Sequence, residues 1–236
     1  MIDGMQAVIL AGGLGVRLRP LTLTVPKPMV PVAGKPFLEH QIAMLREQGV
    51  DEVVLLTGYL SQTIEDHFGD GSDFGVGIRY SREQQPLGTG GGLVQARDLL
   101  RDAFLLLNGD SYLEMDYRAL YERLLGSDAQ AALVLYDNSA EDTTVLNNIR
   151  LDSDGYVTRY EKDGGEESDL THVDAGVLAA RKSVLALCPT DGVFSLEKEL
   201  YRILGERREL LGHEVRQRFY DIGNPDRLRL FETTRN

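Results

Sequence analysis

Gly12, Gly13 and Gly15 stand close together in Ala11-Gly-Gly-Leu-Gly-Val-Arg-Leu-Arg-Pro20, with Arg17 two positions on and Lys27 inside Pro26-Lys-Pro28. Glycines let backbone N–H groups approach a ligand closely, arginine offers phosphate a planar fork, and lysine offers a compact charge. Five of the chain's eight prolines lie between Pro20 and Pro36, so the two cations sit on a stiff loop. These residue types at this spacing predict a triphosphate cradle that needs no helix N-terminus. The dinucleotide fingerprint G-x-G-x-x-G is disfavoured, because Leu18 replaces its third glycine and Pro20 stops a helix from starting in the right place. A P-loop is excluded, since no Gly-Lys-Ser/Thr ends the run.

Two carboxylates follow strand-like runs. Asp110 ends Asn108-Gly-Asp110 after the apolar stretch Ala103–Leu107, and Asp221 comes after Glu214–Tyr220. Either alone reads as a turn former. Together they supply the hard oxygen pair that Mg²⁺ takes beside phosphate oxygens and water. One cysteine, Cys188, and four scattered histidines give no zinc spacing. Ser195-Leu-Glu-Lys198 matches Ser-x-x-Lys formally, but Ser195 directly before the helical run Leu196–Leu204 is a helix cap. Asp152-Ser-Asp-Gly155 lacks the later ligands of a calcium loop and reads as a hairpin turn.

The elements that must carry these residues alternate. Met5–Leu10 reads as a buried strand, Phe37–Gln48 as a helix ending at Gly49, and Glu52–Leu56 as the next strand. A helix near Ser61–Phe68, a strand near Ile78–Ser81, a helix near Leu93–Leu100 and the strand Ala103–Leu107 repeat the pattern. Such alternation predicts a parallel sheet with helices on both faces and ligands at the carboxyl ends of its strands. After about residue 130 the strands Ala131–Tyr136, Asn148–Leu151, Tyr156–Tyr160 and Val173–Ala180 follow with little helix between them, and antiparallel pairing is expected. Asn224-Pro-Asp226 provides cap, N1 proline and acidic first turn for a terminal helix over Pro225–Thr233.

With 236 residues and 42% hydrophobic positions, one domain with a sizeable core is expected. No run reaches the length of a membrane span, and Met1–Leu10 lacks the features of an export signal, so a cytoplasmic protein is expected. A net charge of −12 disfavours nucleic acid and anionic membranes as partners.

The run Leu10–Thr22 with Pro26-Lys-Pro28 resembles the signature of the sugar-1-phosphate nucleotidylyltransferases, departing at Val16, where many members carry threonine. The resemblance continues through Pro86–Gly91, Leu107–Asp110, Glu161-Lys162, Val173–Gly176, Phe194–Lys198 and Asp221–Gly223. It implies an α/β, single-domain Rossmann-like fold with a mixed, mostly parallel sheet and an added antiparallel sugar-binding portion. Residues 1–130 would be mainly nucleotide-binding and 131–236 mainly sugar-phosphate-binding. The chain ends soon after Asp221, so the C-terminal β-helix of longer relatives is not expected.

By the same resemblance Arg17 and Lys27 are catalytic, Asp110 and Asp221 hold Mg²⁺, and Leu10, Ala11, Gly12, Gly13 and Gly15 bind the nucleotide. Gln85, Gly88, Thr89 and Gly90 look like the base-binding loop, its glycines letting the backbone pass a flat base. Lys162 would hold the acceptor phosphate, and Asn108, Glu161 and Asp174 would face the sugar, Asp174 standing where many relatives have asparagine. The motifs look most like the D-glycero-α-D-manno-heptose 1-phosphate guanylyltransferases, implying GTP with heptose 1-phosphate first and mannose 1-phosphate second. Gln85 keeps a second expectation open, because a neutral amide pairs equally with uracil or thymine, giving a UTP- or dTTP-dependent enzyme for gluco sugars. A non-catalytic nucleotide-sugar-binding regulator is the rival from another class, disfavoured because Lys27 and both aspartates are present. Many relatives are dimers or tetramers, which leaves a homodimer as an expectation.

Overall fold

The computed structural model describes residues 4–139, 143–162 and 169–235. In chain order the strands and helices are β1 (Met5–Leu10), β2 (Pro31–Val32), β3 (Lys35–Pro36), α1 (Phe37–Glu47), β4 (Val50–Thr57), α2 (Ser61–Phe68), β5 (Gly77–Arg82), α3 (Gly88–Gln95), β6 (Ala103–Asn108) and β7 (Ser111–Tyr112). They continue with α4 (Tyr117–Leu125), β8 (Ala131–Tyr136), β9 (Ile149–Leu151), β10 (Val157–Tyr160), β11 (Val173–Arg181), α5 (Arg202–Glu206), β12 (Leu210–Val215), β13 (Tyr220–Asp221) and α6 (Pro225–Thr233). Seven strands are hydrogen-bonded in the order β12-β8-β11-β6-β1-β4-β5. The sheet is mixed: β1–β4, β4–β5 and β8–β12 are parallel, and β8–β11 is antiparallel. The parallel first half and the antiparallel pairing after residue 130 follow the strand–helix alternation and its later loss. No helix among the described residues is long and apolar enough to cross a membrane.

The chain divides into two compact units that interleave in sequence. The first comprises the chain through Pro86, Leu107–Tyr112 and the chain from Tyr220 on. Met5, Ala7, Val8 and Ile9 of β1 are all fully buried, as expected of a parallel strand covered on both faces. On α1, Phe37, Leu38, Ile42 and Leu45 form the buried face, and the helix stops at Gln48 before Gly49, whose φ of 88° only glycine adopts cheaply. The short α6 is anchored through one fully buried side chain, Phe231, whose ring lies 5.3 Å from Phe37 and 5.1 Å from Tyr112. Each such aromatic contact contributes about 0.5–1.5 kcal/mol beyond its buried area. The Asn224 side chain caps α6, accepting from the Arg227 N–H at 3.0 Å.

The second unit comprises Leu87–Leu106 and Leu113–Phe219. All six residues of β8 are buried. β9 and β10 form an antiparallel pair across the Asp152–Gly155 turn, where Asp152 Oδ1 accepts from the N–H groups of Asp154 (2.9 Å) and Tyr156 (3.0 Å). These bonds make the aspartate a turn former, as its sequence context implies.

Three elements differ from the sequence reading. The helix expected near Leu93–Leu100 begins at Gly88 and ends at Gln95, because packing against the 192–194 segment overrides the poor helix propensity of four glycines. The strand expected over Glu214–Tyr220 is instead Leu210–Val215, followed by the two-residue β13. Val215 and Phe219 would share a strand face, but Gln217 between them is exposed, so the alternation a buried strand face needs is broken. The run Leu196–Leu204 is split between a wide π turn at Glu197–Tyr201 and α5.

Candidate active site

Of the residues singled out in the sequence, Arg17, Lys27, Asp110 and Asp221 come together in the first unit, and Thr89, Lys162 and Asp174 lie in the second. In the first unit, the Ala11 N–H still bonds Leu56 O at 2.8 Å as the chain leaves β1 after Leu10, and Gly12 then passes close to Gly58. A Cβ on Gly13 would meet nothing within 4 Å, so this glycine faces open space. Gly15 has φ of 60°, and a Cβ there would lie 3.0 Å from Lys27 Cβ and from Thr22 Cγ2. The Thr22 hydroxyl donates to Gly15 O at 2.8 Å. Glycine is therefore needed at 15 to let the proline-rich loop fold back and seat Lys27. The buried side chains of Pro28 and Met29 fix the short turn that carries this lysine.

Lys27 Nζ forms an ion pair with Asp110 Oδ2. The turn presenting Asp110 is held from several sides. Gly109 N–H donates to Leu10 O at 3.1 Å, and a Cβ on Gly109 would come within 2.4 Å of that oxygen. The buried Gln41 amide donates to Asn108 O (2.9 Å) and Ser111 O (2.6 Å), and Ile222 N–H donates to Asp110 O at 2.9 Å. Pairing of β13 with β7 sets Asp221 opposite Ser111. Asp221 accepts from Gly223 N–H at 2.7 Å and from Arg227 Nη1 at 3.0 Å. The exposed Arg17, on a short turn anchored by buried Leu18, brings its guanidinium near Gly223, since a Cβ added there would lie 3.4 Å from Arg17 Nη2. Three cations, Arg17, Lys27 and Arg227, thus gather around the carboxylates of Asp110 and Asp221.

Burial pushes the Asp221 carboxyl up from its ordinary value, and the like charge of Asp110 adds to this against the opposing Gly223 N–H, Arg227 and Lys27. Two carboxylates that disfavour each other's charge are relieved by a shared dication. Among the described residues no group of three or more His, Cys, Asp or Glu side chains could hold a metal. A pair of carboxylates fits Mg²⁺, which keeps water and phosphate oxygens in its remaining positions, better than Zn²⁺ or Ca²⁺. Gln85 belongs to the same unit and is exposed.

In the second unit, Gly88 and Gly90 make room for Phe194. A Cβ on Gly88 would lie 2.5 Å from Phe194 O, and one on Gly90 2.0 Å from the Phe194 ring. Gly90 N–H donates to Phe194 O at 3.0 Å, and Thr89 Oγ1 accepts from Leu196 N–H at 2.9 Å. Lys162 Nζ donates to Ser195 Oγ (3.0 Å) and Glu197 Oε2 (3.1 Å). Ser195 Oγ accepts from Lys198 N–H at 3.3 Å, the contact of a helix cap. Glu161 accepts from Arg159 Nε at 2.8 Å. Asp174 accepts from Tyr160 Oη (2.8 Å) and Gly176 N–H (2.7 Å). Burial nevertheless raises its pKa to about 6, with Glu197 adding a like charge.

The Nucleotidyl transferase family model matches residues 6–228. The chain belongs to this family. This nucleotidyl transferase is 34% identical over 225 residues to the D-glycero-alpha-D-manno-heptose 1-phosphate guanylyltransferase of Aneurinibacillus thermoaerophilus, covering 94% of each chain. It is 34% identical to the mannose-1-phosphate guanylyltransferase of Mycobacterium tuberculosis, over 94% of this chain and 62% of that protein. The crystal structure of HddC from Yersinia pseudotuberculosis superposes with a TM-score of 0.81 at 27% identity, covering 98% of this chain and all of that one. The structure of HddC complexed with GMP-PN gives 0.79.

Sequence reasoning missed Arg227, Gln41 and Glu197 of this transferase. Arg227 could have been found from its place in the first turn of the capped helix after Asp221. Glu197 lies inside Phe194–Lys198, a segment whose own sequence signal is the serine cap. Gln41 carries no signal in its spacing, because its partners are backbone carbonyls of Asn108 and Ser111.

Proposed function

We propose that the chain transfers a nucleoside monophosphate from an NTP to a sugar 1-phosphate, releasing pyrophosphate, with GTP and a manno-configured sugar as the pair. The observation that carries the reading is the cluster in which Lys27, Asp110, Asp221 and Arg227 are held by direct ion pairs and hydrogen bonds beside the Gly12–Gly15 loop. The transfer reaction needs charge placed around an oxygen-rich, highly anionic substrate, with little covalent work from the protein.

A phosphate oxygen of the sugar 1-phosphate attacks the α-phosphorus in line, forming the new P–O bond as the bond to the departing pyrophosphate breaks. Lys27 and Arg17 receive the charge that builds on the leaving group. Mg²⁺, held by Asp110 and Asp221, would neutralise triphosphate oxygens. Lys162 holds the incoming phosphate, a separate cation being required because two anions must approach each other. Asn108, Glu161 and Asp174 face the sugar in this reading.

The guanylyl and manno assignments rest on the relatives: the similar proteins from A. thermoaerophilus and M. tuberculosis are both guanylyltransferases acting on manno-configured sugar phosphates. A uridylyltransferase for glucose 1-phosphate from Synechocystis, 30% identical, keeps the second pair in view. The test is a matrix of GTP, ATP, CTP, UTP and dTTP against heptose, mannose, glucose and N-acetylglucosamine 1-phosphates, read by pyrophosphate release. GTP with heptose 1-phosphate is expected to give the largest kcat/KM. A maximum on UTP or dTTP with a gluco sugar would overturn the substrate pair and leave the transfer intact.

A further inference from the structure

We propose that Glu197 is a positioning residue for Lys162, fixing the ammonium group before the acceptor phosphate arrives; this rests on the reading of Lys162 as the phosphate-binding cation. Glu197 Oε2 accepts from three side chains: Thr89 Oγ1 at 2.9 Å, Lys162 Nζ at 3.1 Å and the Ser195 hydroxyl. A carboxylate is acceptor-only, so it sets the polarity of everything around it. The Ser195 proton points to Glu197, leaving its oxygen to accept from Lys162 and from Lys198 N–H. The Thr89 proton points the same way, leaving its oxygen for Leu196 N–H. Both hydroxyls therefore have a single orientation, and two of the three N–H directions of Lys162 are assigned among the described residues. The third has a defined direction.

A lysine without such partners carries rotamer entropy that a phosphate would have to remove on binding. The Lys162 side chain is 35% exposed, so burial alone does not hold it, whereas Glu197 is 15% exposed. Burial would push the Glu197 pKa up, but the Ser195 hydroxyl, its own backbone N–H and Lys162 outweigh that and lower it. The carboxylate is thus charged where Lys162 meets it. It stands on the wide turn Glu197–Tyr201, an irregularity of the kind that often re-aims functional side chains. Thr89 is the third member, so the same carboxylate also ties α3 to the Ser195 cap.

The test is Glu197→Gln, which keeps an acceptor oxygen in place and removes the charge. The sugar 1-phosphate KM is expected to rise about tenfold with the NTP KM within about twofold and an unchanged melting temperature. In the Lys162→Ala background the same substitution should add nothing further. Trace acetylation with acetic anhydride, read per lysine by mass spectrometry, gives a readout independent of catalysis. The rate at Lys162 relative to the exposed Lys35 should rise at least threefold in Glu197→Gln. If that variant does not fold, Ser195→Ala, which removes the other Lys162 acceptor, is expected to raise the same ratio. An unchanged ratio, or additive effects in the double variant, would overturn the inference. Absence of pyrophosphate release by the wild type with every substrate pair would overturn the proposed function instead, and the labelling ratio would still decide the role of Glu197.

Discussion

Lys27 and Asp110, 83 positions apart in sequence, form an ion pair whose two halves are each placed by a glycine: Gly15 makes room for the lysine, and Gly109 lets the aspartate turn pass under Leu10 O. In the proposed reaction the pair puts the cation that would hold the triphosphate against a carboxylate that would hold the metal. Nucleotide and Mg²⁺ would exchange this contact for two new ones, so the loop and the aspartate turn are ordered before either ligand binds. Lys27→Ala should therefore lower kcat by about 10²–10³ while changing the sugar 1-phosphate KM little, because its charge meets the charge that develops on the leaving group. Lys162→Ala should do the reverse, raising the sugar 1-phosphate KM with a smaller effect on kcat. Steady-state kinetics with each substrate varied in turn checks the division, and equal KM effects in both variants would refute it.

Asp110→Asn and Asp221→Asn should each keep the fold and lower turnover by about 10²-fold or more at saturating Mg²⁺, since each removes a charged oxygen donor. Melting curves and turnover are compared side by side. Near-normal turnover in both variants would remove these residues from the metal site.

Two glycines separate structure from binding. Gly109→Ala brings a Cβ within 2.4 Å of a backbone oxygen, so it should cost about 1–3 kcal/mol of stability and displace Asp110. A Cβ on Gly13 meets nothing in the protein, so Gly13→Ala should change stability by less than about 0.5 kcal/mol. Its expected effect is a raised NTP KM, because the added methyl stands where the triphosphate is proposed to lie. Denaturant titration of both variants and the NTP KM of Gly13→Ala are the measurements; an unchanged KM would move the cradle away from Gly13.

Asp174 gives a pH-dependent prediction. Its pKa is raised to about 6 by burial in the folded chain, above the ordinary value of 3.8. The folded state therefore binds the proton more tightly than the unfolded state, and this group's contribution to stability falls as pH rises from about 4 to about 6, staying low above that. Asp174→Asn keeps an acceptor for Gly176 N–H and removes the titration. Its melting temperature should match wild type near pH 4 and exceed it at pH 8. A constant difference across that range would contradict the assignment.

The sequence is most legible where local pattern and tertiary need agree. The mainly apolar run of β1 and the cap of α6 appear at the bounds expected from their residues. The start of α3 is hidden because glycines are poor helix formers, and only the 192–194 segment, a hundred residues away, explains Gly88, Gly90 and Gly91. Lys27 is legible in the opening loop by type and spacing and Lys162 through the family resemblance, but the partners that orient them, Asp110 and Glu197, come from remote turns. Gly15 and Gly109 are readable as glycines in the sequence; that one seats a lysine and the other clears a carbonyl is not.

The central claim is a single in-line displacement organised by charge, with no covalent nucleotidyl intermediate on the protein. The direct measurement is the stereochemistry at the α-phosphorus, using the Sp isomer of GTPαS with heptose 1-phosphate and reading the product diastereomer by ³¹P NMR. Inversion is expected. Retention would require two displacements through an enzyme-bound nucleotide and would contradict it.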